Sequence, residues 1–184
     1  MPKNSRVWIL GGVLAIVIAY YFYSQNTGSK EDFLAFINGI APEIEERYGI
    51  KPIITVTQGS LESDYGQSGL ASEGRNIFGI KANPQWLADG KPTWTGATEE
   101  FYGGSMTPTK IRDTFKAYPS WRASVLDWAE LISGPYKTAY RYAQAGDLIG
   151  YGNAIVNTGY STDPYYPTLL AQTANDIDTM QRTA

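Results

Sequence analysis

Residues 60–81 read SLESDYGQSGLASEGRNIFGIK and place one glutamate, Glu62, at the end of an apolar segment, directly against a loop of small residues. Apolar neighbours oppose ionisation of a carboxylate, and a helix end beside a loop leaves one side open to a substrate. Together these are what a general acid needs. The plain alternative is a solvated helix-end carboxylate, which is how most glutamates are found.

The chain has neither histidine nor cysteine. That excludes a Ser-His-Asp triad, a Cys-His nucleophile, the usual zinc site and any disulfide. Hydrolytic chemistry is then carboxylate work, assisted by tyrosine, asparagine or lysine, and the reading calls for no cofactor. The net charge of −3, with both signs scattered along the chain, argues against nucleic acid as a partner. Fourteen tyrosines and five tryptophans suit either a core or a carbohydrate-lined cleft. Tyr118 and Trp121 fit both uses.

The elements that must position such a carboxylate follow from periodicity. No charged residue stands between Arg6 and Lys30, and residues 7–23 (VWILGGVLAIVIAYYFY) form a continuous apolar and aromatic run. Its length and its aromatic ends match a membrane-spanning helix. Lys3 and Arg6 before it place the N-terminus in the cytoplasm and the rest of the chain outside. A cleaved signal peptide is the rival, but bulky tyrosines stand where small residues should mark cleavage. A polar linker at 24–29 leads into one domain over 30–184.

Phe33, Leu34, Ile37, Ile40 and Ile44 predict a helix over 31–48, stopped by Gly49. Pro52 opens a second helix to about Tyr65, although its β-branched residues would also suit a strand. Residues 78–81 and 93–101 read as extended or loop structure, and 110–118 as a returning strand. Ser120 caps a helix to about Ile132, another covers 136–145, and Asp147 caps one to about Thr158. Asp163-Pro164 starts the last. The expected fold is mainly α with a small β-excursion.

Four ordered segments resemble one family. SLESDYGQSGLASEGRNIFGIK, ATEEFYGG, FKAYPSWRASVLDWAELI and TGYSTDPYYPTLL are similar to the motifs of the bacterial cell-wall N-acetylglucosaminidases, glycoside hydrolase family 73, over about residues 31–177. The resemblance implies a lysozyme-like helical domain with a small β-hairpin lobe, acting on peptidoglycan glycan strands, with Glu62 as general acid. It places Glu100 at the family's second glutamate, with Glu99 one residue away. Strand alternation would send those two to opposite faces. It puts Asn76, Phe78 and Lys81 beside the cleft. For Asn76 and Phe78 the structural alternative is a turn clamp and a core ring.

Three routes stay open from the residues: Glu100 activating water, Glu100 as nucleophile, or attack by the substrate's own 2-acetamido group, which Tyr160 would orient. A Gly-rich hairpin favours the third. Tyr65 stands where the family commonly has tryptophan, and Gly59 where it has alanine. The rival activities are a lytic transglycosylase, which usually carries Gly-Leu-Met-Gln after the acid, and a non-catalytic wall-binding protein of the same fold. The setting is a bacterial cell surface, with the enzyme on the wall side of the membrane, or a phage lysis or entry protein, including one in the membrane of a lipid-containing virion.

Overall fold

The computed structural model describes residues 28–102 and 107–183. The apolar run at 7–23 lies outside them. Among the described residues no helix is long and apolar enough to cross a membrane.

The first helix, α1 (Lys30–Tyr48), begins at Ser29, whose side chain accepts from Asp32 N while Asp32 reaches back to the Ser29 backbone. Gly49, in the left-handed region at φ 69°, ends it. Its apolar stripe, Phe33 to Ile44, packs against α2 (Pro52–Ser63). The β-branched stretch that left α2 open to a strand reading is helical. Ile54 through Ser60 are all buried, so the middle of this helix is covered on every side by the domain. Tertiary burial overrides the weak propensity of its residues, with Ile54 and Val56 each contributing about 1.5–3 kcal/mol.

Two short helices not legible in the sequence follow, α3 (Gly69–Ser72) and α4 (Pro84–Ala88), the latter capped by Asn83 with Pro84 at its first position. Strands β1 (Thr93–Glu100) and β2 (Thr109–Lys116) pair antiparallel, from Thr93 opposite Lys116 to Glu100 opposite Thr109. Helices α5 (Trp121–Ser133), α6 (Lys137–Ala145) and α7 (Leu148–Asn157) then close the core, with Ser120 and Asp147 as the expected caps.

The last helix, α8 (Tyr166–Thr183), starts later than expected. Asp163 caps the preceding turn instead, its carboxylate accepting from Tyr165 N at 2.8 Å. α8 packs on α2 and α7. The result is the mainly helical domain with a small β-hairpin lobe that the sequence implied, an arrangement consistent with a lysozyme-like fold.

Candidate active site

Glu62 lies in the last turn of α2. The chain leaves that helix through three consecutive left-handed residues, Asp64, Tyr65 and Gly66, at φ 48°, 54° and 78°. Two of them carry a Cβ, so the turn is strained and needs a clasp. Ser63 is that clasp. Its hydroxyl donates to Gly59 O at 2.6 Å and accepts from Gly66 N at 2.8 Å. The serine following the acid therefore fixes the exit of the helix, a role that residue type alone did not disclose.

The Glu62 carboxyl is walled in by protein yet partly open to a cleft of about 640 Å³. Tyr166, at the start of α8, donates its hydroxyl to Glu62 Oε1 at 2.6 Å. Gln58 stands one helical turn before Glu62 on the same face of α2. Its Oε1 accepts from Trp128 Nε1 at 3.0 Å and Tyr151 Oη at 2.5 Å, which fixes the amide's orientation. Its Nε2 has no partner of regular geometry among the described residues, yet it acts on Glu62 in favour of the charged form. Burial outweighs both donors and pushes the Glu62 carboxyl from 4.5 up to about 7.

Because Oε1 already accepts the tyrosine proton, the acidic proton of neutral Glu62 belongs on Oε2. That oxygen faces Gly79, where a Cβ would lie 3.8 Å away. Gly79 also adopts φ 65°, so glycine there serves both the backbone turn and the open side of the acid.

The hairpin forms the opposite wall. Glu100 and Glu99 point to opposite faces, as alternation requires. Glu100 turns inward, its side chain only 13% exposed, and accepts from Lys81 Nζ at 2.6 Å and Thr162 Oγ1 at 2.7 Å. Lys81 also pairs with Asp113 at 2.9 Å. Burial works to lower the lysine's affinity for its proton, but the two carboxylates prevail and raise it. Glu99 faces solvent and stands 3.8 Å from Lys110.

Tyr160 lines the same cleft and donates to the Phe78 carbonyl at 2.7 Å. Burial pushes its phenol well above the ordinary tyrosine range, so the ring stays neutral and offers a lone pair to the cleft. The structure thus brings together Glu62, Glu100, Tyr160, Lys81 and Phe78. Phe78 acts as a floor, its ring fully buried and stacked on Trp128 at 4.3 Å.

Asn76 and Tyr118 do not reach the cleft. Asn76 is buried and donates to the Ile80 and Lys116 carbonyls, both at 2.9 Å, while accepting from Ile80 N at 3.1 Å. It is the turn clamp that carries residues 78–81. Tyr118 is buried and donates to Asp127 at 2.5 Å, with its ring against Trp86. Neither is placed to touch a substrate.

Tyr166, Gln58 and Thr162 were not singled out in the sequence. Tyr166 and Thr162 both sit inside the Gly-Tyr-Ser-Thr-Asp-Pro-Tyr-Tyr segment, so the signal was present there. Gln58 carried only its spacing of four from Glu62.

Residues 38–179 match the family model Glucosaminidase, described as mannosyl-glycoprotein endo-beta-N-acetylglucosaminidase. The chain is 28% identical over 176 residues to the exo-glucosaminidase LytG of Bacillus subtilis, covering 94% of this chain and 60% of that protein. It is 29% identical over 157 residues to the peptidoglycan hydrolase FlgJ of Vibrio parahaemolyticus, covering 83% and 49%. It thus spans only about half the length of these curated relatives. Among solved structures, it resembles a peptidoglycan hydrolase mutant from Sphingomonas sp. A1 with a TM-score of 0.70 at 25% identity, over 84% of this chain and 98% of that one. A C-terminally truncated glycoside hydrolase domain of Salmonella typhimurium FlgJ matches with a TM-score of 0.59 at 26% identity, over 82% and 99%.

Proposed function

The chain belongs to the glucosaminidase family of glycoside hydrolases, family 73, and on that premise we propose that it cleaves the N-acetylglucosaminyl β-1,4 bond of peptidoglycan, with Glu62 as general acid. The observation that carries this reading is the Glu62 carboxyl, held near a pKa of 7 by burial and oriented by Tyr166, with one oxygen open to the cleft. A glycosidic oxygen leaves only once protonated, and an ordinary glutamate is already ionised at neutral pH. Burial supplies the difference.

For the second role, the geometry favours the substrate's acetamide over Glu100. Both Glu100 oxygens are engaged, by a lysine and a threonine hydroxyl, which weakens the carboxylate as nucleophile or base. Tyr160 has spent its proton on Phe78 O and can accept from the acetamide N–H. Glu62 Oε2 gives its proton to the glycosidic oxygen as the C1–O bond breaks, and the acetamide oxygen bonds to C1. Water then opens the resulting oxazolinium ring, returning its proton to Glu62. Glu100 contributes negative charge beside the developing cation.

Anchorage through residues 7–23, with the hydrolase domain on the wall side, rests on the uncharged apolar run and on Lys3 and Arg6 before it. Tethering of this kind raises the effective concentration of enzyme at its polymer. The expected outcome is that the full-length chain sediments with membranes and that deletion of 1–29 abolishes this. Full-length chain in the soluble fraction, with its N-terminus intact, overturns anchorage.

The activity is tested by mass spectrometry of fragments released from purified sacculi. N-acetylglucosamine at the new reducing end is expected. Reducing-end muramic acid or an anhydro product overturns the assignment.

A further inference from the structure

Trp94 stands on β1 on the same face as Glu100, since the two are separated by an even number of residues. Six residues of strand place its Cα about 20 Å along the cleft wall from that of Glu100. Side chains in a strand normally stand off the sheet. The indole of Trp94 instead lies along its own strand. Its Cη2 and Cζ3 atoms occupy the place where a Cβ at Gly96 would be, 1.9 and 2.1 Å from that position. Any residue but glycine at 96 would expel the ring.

The rest of the surround is also built for that ring. Gly69 faces it, a Cβ there falling 3.4 Å from Cζ2. Its Nε1 donates to Glu73 Oε2 at 2.8 Å, which fixes its rotation, and Phe115 packs at its side with centroids 6.2 Å apart. Trp94 is nonetheless only partly buried and lines the cleft that holds Glu62 and Glu100. A core tryptophan needs no glycine bed and no opening to a cleft. A ring laid flat, with its N–H turned aside to a carboxylate, presents an apolar surface to whatever runs along the groove.

We propose that Trp94, seated on Gly96 and oriented by Glu73, is a stacking platform for a sugar ring of the glycan several units from the scissile bond. The platform makes the enzyme selective for long strands over short ones. The proposal rests on the glycan-hydrolase reading of the cleft. The flat C–H face of a pyranose matches an indole, and the indole N–H does not compete because Glu73 holds it.

The test is calorimetric binding of β-1,4-linked N-acetylglucosamine oligomers to the full-length chain carrying Glu62→Gln, in mild detergent. Trp94→Ala and Gly96→Val are each added to that background. Gly96→Val keeps the tryptophan but removes its seat. Both are expected to weaken hexasaccharide binding about tenfold, equivalent to about 1.4 kcal/mol, and to leave disaccharide binding unchanged. Thermal melts confirm folding, and a folded Gly96→Val suffices if Trp94→Ala does not fold. Unchanged hexasaccharide affinity in a folded variant overturns the platform and leaves the glycan reading standing, as does an equal loss for both ligands. Failure of the Glu62→Gln parent to bind the hexasaccharide overturns the glycan reading itself.

Discussion

The hydroxyl of Tyr166 meets Glu62 Oε1 at 2.6 Å across 104 residues of sequence, so the first turn of the last helix orients the acid at the end of the central one. This hydrogen bond favours the ionised carboxylate and partly offsets burial. Tyr166→Phe should therefore raise the Glu62 pKa further above 7. The falling limb of the activity–pH profile should move to higher pH. The rate below it should drop, by about tenfold or more, because the carboxyl loses its fixed orientation. Rate–pH profiles on sacculi measure both, and a limb that moves to lower pH contradicts this assignment.

Glu62 also makes stability depend on pH. Its folded pKa is raised from 4.5 to about 7, so the folded state holds the proton more tightly than the unfolded chain. The associated stability is fully present below about pH 4.5 and is lost as pH rises through about 7. Its size is about 3 kcal/mol at most. Glu62→Gln, which is neutral at every pH, should match the native protein near pH 4 and exceed it at pH 8. It should also lose at least about a hundredfold in hydrolysis. Urea melts at the two pH values, beside rates on sacculi, decide this. Equal stability gaps at both pH values would show that Glu62 is not neutral in the fold.

Glu100 and Tyr160 divide the possible routes. If the acetamide attacks, Tyr160→Phe should lose about a hundredfold, and Glu100→Gln should lose less. Azide should then fail to rescue Glu100→Ala, since no carboxylate nucleophile or base has been removed. A folded, fully active Tyr160→Phe beside an inactive Glu100→Gln would assign the second catalytic carboxylate to Glu100 instead.

Asn76 should behave as a structural residue. Asn76→Ala leaves the Lys116 carbonyl and the Ile80 N–H without their Asn76 partner in a buried site, while the Ile80 carbonyl keeps only its bond from Lys116 N. A loss of about 2–4 kcal/mol is expected. Because Asn76 does not touch the cleft, oligosaccharide affinity of the fraction that remains folded should be unchanged. Chemical denaturation beside calorimetric binding checks both. Native stability with weakened binding would place Asn76 in the substrate site after all.

Much of this protein was determined locally. Glu62 against its loop, the caps at Ser120 and Asp147, the stop at Gly49 and the hairpin alternation that parts Glu99 from Glu100 all depend on residues within a few positions of one another. Propensity and period act over that range, so they can be read along the chain. The tertiary structure decided the rest. Residues 53–61 are β-branched enough for a strand, and only the burial of Ile54 through Ser60 on every side made them a helix. Asn76 and Tyr118 had the residue types of a binding site, but the first clamps a turn and the second pairs with Asp127. Tyr166 and Thr162 acquired their roles because α8 and the segment before it pack back against α2 and β1. Gln58 gained its role from Trp128 and Tyr151, 70 and 93 residues away. A side chain's partners at such separations are set by how helices stack and by which neighbour excludes water. No period or spacing in the chain encodes that.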